Sequence, residues 1–261
     1  MGRETICNSV ENIVTGAFLL DLKEDTNQEL VINENANVLI TDCNKGSHLT
    51  IQIKNNAKLV LSVLSKNSIE NLEIIANLEK NADFEAYFAD FSNGKGKARI
   101  EVNLNEEGAN AKWHLASLAG NNDNKEFDVS IIHKVPNTYG QSDNYGVCKD
   151  DARLVFSGVS SIAKYAVKSR TNQNAKIMVF DEKSIGVAKP ILKIDENDIQ
   201  ASHAAIVGKI NDDHLFYLTS RGLTEEQAKQ LITFGYLKPI INGFEEDEVK
   251  EEINTLIEGR M

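Results

Sequence analysis

Five histidines occur in this chain, and His203 stands in the setting best suited to chemistry. It lies in Ala201-Ser202-His203-Ala204-Ala205, ahead of Val207-Gly208-Lys209-Ile210 and Phe216-Tyr217-Leu218-Thr219-Ser220-Arg221-Gly222. A neutral imidazole is available near pH 7 and can ligate iron or polarise a thiol. His48 and His114 fall near turns or in strands and read as structural or solvated, His214 begins a short helix and reads as exposed, and His133, ending a strand-like run before Pro136, is uninformative. The three cysteines, Cys7, Cys43 and Cys148, are far apart and odd in number, which argues against a disulfide framework and a CxxC metal site. Cys148 reads first as a buried, inert thiol and only after that as a metal ligand. A Gly-x-x-x-x-Gly-Lys-Ser/Thr loop and a Gly-x-Ser-x-Gly elbow are both missing, so the chain is neither a P-loop ATPase nor a hydrolase of the elbow type.

The elements that must position His203 change character around it. Residues 201–222 form the joint between a strand-rich body and a helical tail. Asp212 is placed to cap a short helix whose apolar stripe is Leu215, Phe216 and Leu218. Gly222 supplies a left-handed stop, and Arg221 suits the negative end of the helix dipole. Thr224-x-x-Gln227 is a capping box that opens a second helix through Ala228, Leu231 and Ile232. Gly235 is expected to end it, and Pro239 to break the helical pattern beyond. A last helix, about 245–258, places Val249, Ile253, Leu256 and Ile257 on one face.

Upstream, a corner signal recurs: Asn, Asp or Gly, then Ala, then alternating apolar positions. It occurs at Asn35-Ala36, Asn56-Ala57, Asn81-Ala82, Gly108-Ala109, Asp151-Ala152 and Asn174-Ala175, at spacings of 21, 25, 27, 43 and 23 residues. The long gap reads as two periods. Alternation by two means strands, and a repeat of this length means a solenoid or array. Asn, Asp and Gly tolerate the left-handed backbone of a tight corner. One rung cannot bury its apolar face alone, so the stack is the folding unit. A β-helix fits best, although a β-sandwich also accommodates short strands at regular spacing. The expected organisation is a lead-in over 1–27, a β core over 28–210 and a helical segment over 211–261.

The formal charge of −11 opposes nucleic-acid binding, and no apolar run is long enough to span a membrane. The first residues carry Arg3, Glu4 and Glu11 without a long apolar run, unlike a secretory signal, so the expected location is cytoplasmic.

The motifs around His203 resemble the SufB/SufD family, scaffold subunits of the Suf iron–sulfur cluster assembly machinery. The likeness extends upstream through Lys149–Gly158 and Pro190–Ile194, and downstream through Glu226-Gln227-Ala228 and Leu231-Ile232 to Gly235. It implies a right-handed parallel β-helix core followed by C-terminal helices. It also implies a non-catalytic scaffold that partners a SufC-like ABC ATPase and a SufB-like subunit or a second copy of itself. His203 would then lie at the subunit interface. Phe216, Tyr217, Arg221, Leu231, Ile232 and Tyr236 would be candidates for contact with partners. No cofactor is expected to be held permanently; a transient iron–sulfur cluster at the interface is the implied cargo. Ala201 stands where many SufD sequences have cysteine, and Ala204 and Ile206 replace a family Gly and Thr. The N-terminal helical region usual in the family is not expected here. The readings from other classes are a β-helical carbohydrate-active enzyme and a purely structural solenoid.

Overall fold

The computed structural model describes residues 4–6, 12–22 and 26–261. Two walls of parallel strands face one another. One wall stacks β4 (His48–Ile53), β6 (Glu70–Leu78), β8 (Lys95–Leu104), β10 (Asn124–His133), β12 (Arg153–Ile162) and β14 (Ile185–Ile194). The other stacks β5 (Lys58–Ser65), β7 (Asp83–Asp90), β9 (Asn110–Ala119), β11 (Tyr139–Cys148), β13 (Arg170–Val179) and β15 (Gln200–Lys209). The chain alternates between walls, giving a β-solenoid of about 6 turns. A long strand, β3 (Asn27–Cys43), crosses from one wall to the other, pairing with β4 through Asn27–Ile32 and with β5 through Ala36–Ile40. Two strands lie within the lead-in: β1 (Glu4–Ile6), and β2 (Asn12–Leu22), which pairs in parallel with β3. Cys7 lies outside the described residues.

The expected alternation holds. Leu59, Leu61 and Val63, then Phe84, Ala86 and Phe88, then Ala111, Trp113 and Leu115 all face a common core at no more than 1 % exposure. Phe88, Trp113, Phe127 and Phe156 cluster along its axis, with ring centroids 5.8–6.1 Å apart. Each such side chain contributes roughly 1.5–3 kcal/mol by leaving water.

The coils lengthen as they climb. Leu59 pairs with Phe84, Phe84 with Ala111, Ala111 with Gly140 and Gly140 with Thr171, which are steps of 25, 27, 29 and 31 residues. Asn56, Asn81, Gly108, Asn137 and Lys168 turn one corner in the left-handed region, with φ of 61°, 55°, 79°, 57° and 59°. The Asn81 amide donates to Asn56 Oδ1 at 3.1 Å, so the corner residues also ladder with one another. This corrects the corner signal in three places. Asn35-Ala36 lies inside β3, Asp151-Ala152 turns the opposite corner, ahead of β12, and Asn174-Ala175 lies inside β13. The turn omitted from the long gap is Asn137-Thr138, where Thr takes the place of Ala.

The tail forms three helices: α1 (Asp212–Ser220), α2 (Glu225–Ile241) and α3 (Asp247–Arg260). Asn211, not Asp212, caps α1, accepting from the Asp213 and His214 amides. The capping box at Thr224 and Gln227 is present, and Gly222 has φ 98°. Helix α2 continues past Gly235 and through Pro239. Its last turn is held by Leu237, Ile240 and Ile241, which bury against the outside of the second wall. With α3 they cover Leu39, Leu64, Phe91, Leu118 and Val147. Among the described residues no helix is long and apolar enough to cross a membrane.

Polar contacts pin α3 and the turn before it to the solenoid. Arg260 pairs with the Asp123 carboxylate and donates to the Phe91 and Ser92 carbonyls. Lys66 meets Glu252 at 2.8 Å, and Asn37 donates to Glu245 at 2.9 Å. Beneath them Lys125 and Asp90 form an ion pair at 2.7 Å with neither side chain more than 1 % exposed.

Candidate functional site

Strand β15 ends the second wall, so among the described residues only one of its edges is paired, and no further coil of them closes over its inward side. Its register with β13 fixes which side chains face inward. Thr171, Gln173, Ala175 and Ile177 point into the core and pair with Ala201, His203, Ala205 and Val207. His203 therefore sits at the mouth of the solenoid, above Gln173, and is exposed. Its imidazole makes no hydrogen bond or ion pair with any described residue. The same end exposes Ile185, Ile191, Ile206 and Val207, each at 46–53 %. Apolar exposure of this kind, beside an unpaired strand edge, is what a second subunit can cover.

Cys148 does not join His203. Ser142 is two strands below His203 in the same register, and Cys148 is six residues further along β11, roughly 20 Å at about 3.3 Å per residue. Its thiol is buried and donates to the Ala152 carbonyl at 3.2 Å. Burial pushes its pKa up to about 11, so little thiolate is present at neutral pH. Among the described residues no three His, Cys, Asp or Glu side chains stand together as a metal-binding group.

The tail candidates divide into two sets. Phe216 and Tyr217, at 74 % and 56 % exposure, project from α1, which buries no residue of its own. The Arg221 guanidinium lies 5.2 Å from the Tyr217 ring centre, where the charge meets the π face. Leu231 on α2 is also exposed. Ile232 and Tyr236 are half-buried; the Tyr236 ring packs 5.9 Å from Tyr145, and burial raises its phenol to about 12. Tyr236 braces α2 on the solenoid, so the accessible set is Phe216, Tyr217, Arg221 and Leu231.

The remaining histidines have local partners or lie in solvent. His48 contacts Glu73 at 3.2 Å, and His214 is exposed. His114 stacks on Tyr87 and lies 3.4 Å from Asp143. Burial raises the Asp143 carboxyl, but hydrogen bonds from His114, Asn174 and Gln141 outweigh it and hold the group below its ordinary value. The sequence reading missed the charged cluster of Asp90, Asp123, Lys125 and Arg260, because a lone Lys in an alternating strand carries no mark of burial.

The family model described as "SUF system FeS cluster assembly, SufBD core domain" matches residues 6–236, from the lead-in strands to the middle of α2. The iron–sulfur cluster assembly protein SufD of Bacillus subtilis is 33% identical over 160 residues, 61% of this chain and 37% of that protein. SufB of the same organism is 29% identical over 158 residues, 60% of this chain and 34% of that protein. An iron–sulfur cluster assembly SufBD family protein of Staphylococcus saprophyticus is 29% identical over 155 residues, covering 59% and 33%. The matched stretch thus spans a third or slightly more of each relative's length.

Proposed function

This chain belongs to the SufB/SufD family, whose members take part in iron–sulfur cluster assembly, and we propose that it serves there as a non-catalytic scaffold subunit. In this reading the open β15 end pairs with a SufB-like subunit or a second copy. Helix α1 and the neighbouring face of α2 receive an ABC-type ATPase, and the work is done in the cytoplasm. The observation that carries the proposal is the coincidence of two uncovered surfaces with the family motifs: the His203 end of the solenoid, and Phe216 with Tyr217 on α1.

The chemistry derives from the placement of His203. One exposed imidazole at a strand edge offers a single nitrogen to a cluster under construction. The other ligands of that cargo then come from the facing subunit, which makes the interface the place of assembly. Hydrolysis of ATP by the partner would alter the pairing and so open or close that space.

Co-purification tests the ATPase contact. A Phe216→Ser, Tyr217→Ser double variant should keep its melting temperature, since both side chains are mostly in solvent, and lose the ATPase from a pull-down. Retention of the ATPase at wild-type strength would move the docking surface elsewhere.

A further inference from the structure

Six side-chain polar atoms of deeply buried residues in the upper half of the solenoid have no protein hydrogen-bond partner: Trp113 Nε1, His133 Nε2, Asn144 Oδ1, Ser160 Oγ, Thr171 Oγ1 and Gln173 Oε1. All six residues are deeply buried, with exposures of 0, 0, 2, 1, 4 and 2 %. A buried polar atom left unpaired costs about 1–3 kcal/mol, so six in one region call for a common partner.

Register lines up part of this set. Trp113 pairs with Ser142, Ser142 with Gln173, and Gln173 with His203 at the open end. Three strand spacings separate the indole from that end, about 14 Å. The inward side chains of this wall become smaller and more polar in the same direction, with Ile131 and His133 of the facing wall close against Gly140. The coil lengthens from 25 to 31 residues, while inward Phe84 and Phe88 of β7 give way to Gly140, Ser142 and Asn144 on β11. The inward positions of β11 and β13 hold no charged side chain. An ion entering there would lose its hydration without a counter-charge, so the fitting guest is neutral and donates and accepts hydrogen bonds.

We propose that the upper interior is a hydration site: a file of water molecules that enters beside His203, bonds Gln173 and Ser142, and reaches the Trp113 indole N–H. This does not rest on the scaffold reading. Water supplies the missing donors to the oxygens and the missing acceptor to the indole, and it stays continuous with bulk solvent through the open end.

Trp113 is the only tryptophan, so the full-length protein labelled with nitrogen-15 has one indole resonance. A continuous file predicts a water–indole cross-peak, and indole proton exchange at least tenfold faster than that of the buried backbone amides of β9. Exchange of the indole proton only at the rate of global unfolding, with no water cross-peak, would overturn the proposal. Gln173→Met gives an independent reading of sign. In a hydrated interior it breaks the file, slows indole exchange and lowers the melting temperature. In a dry one it removes an orphaned polar atom and raises the melting temperature, which would also overturn the proposal. Should Gln173→Met not fold, Thr171→Val is read in the same way, and the wild-type exchange decides without either variant.

Discussion

His133 makes the fold sensitive to acid. Its Nδ1 lies 2.8 Å from the Thr138 hydroxyl, and burial lowers its pKa from 6.5 to about 4. Because the unfolded chain takes up the proton more readily, stability is complete above pH 6.5 and is lost as pH falls to about 4. The loss amounts to about 3 kcal/mol at ~1.4 kcal/mol per pH unit. Chemical denaturation at pH 7 and pH 5 should show most of this loss in the wild-type chain and a flatter profile in His133→Gln; equal slopes would remove His133 from the account. His203 is exposed and has no hydrogen-bond partner to lose. His203→Ala should leave the melting temperature and ATPase capture unchanged, yet abolish cluster assembly on a reconstituted complex. Undiminished assembly would assign the chemistry to other residues.

The helices and strands were not equally legible. Strands β5 to β10 declare themselves because apolar and polar residues alternate, and so do their corners while Ala comes after Asn or Gly. Strand β11 reads Tyr-Gly-Gln-Ser-Asp-Asn-Tyr-Gly-Val-Cys, polar on both faces, so periodicity has nothing to detect even though its inward side is buried. The same property hid the polar interior. Helix α2 outran its expected stop because burial of Leu237, Ile240 and Ile241 outweighs the single N–H that Pro239 lacks. The apolar stripe of α1, Leu215, Phe216 and Leu218, was legible, but not that its largest side chain, Phe216, faces solvent. His203 was found through its neighbours in sequence, whereas the register that sets it above Gln173 required the strands. The fastening of α3 is an element-scale matter and can be tested as one. Arg260→Ala leaves Asp123, 4 % exposed, without its charged partner and should cost about 3 kcal/mol in denaturation, with faster proteolysis between α2 and α3. Unchanged stability would mean that the apolar contacts alone hold the helix.

At the scale of the molecule, the solenoid has an end where its last coil lies open. If that end pairs, light scattering should report a mass above that of one chain, alone or with a SufB-like subunit, and Ile206→Lys should shift the complex toward separate chains while leaving the melt of each unchanged. A mass of one chain under all conditions would leave the apolar rim without a partner. The distances along the chain also set an order of events. Successive coils touch across 21 to 32 residues, so each can be laid on the one before it as the polypeptide lengthens. The clasp made by α3 and the turn before it spans 137 to 208 residues, joining Arg260 to Asp123 and Glu245 to Asn37. Closing so long a loop costs more entropy than any coil step. Refolding should therefore run as a rapid zippering of strands and then one slower locking event, and only the second should respond to Arg260. A ribosome-bound chain would carry a finished ladder with its flank still bare, and that interval is when the molecule most needs protection from aggregation.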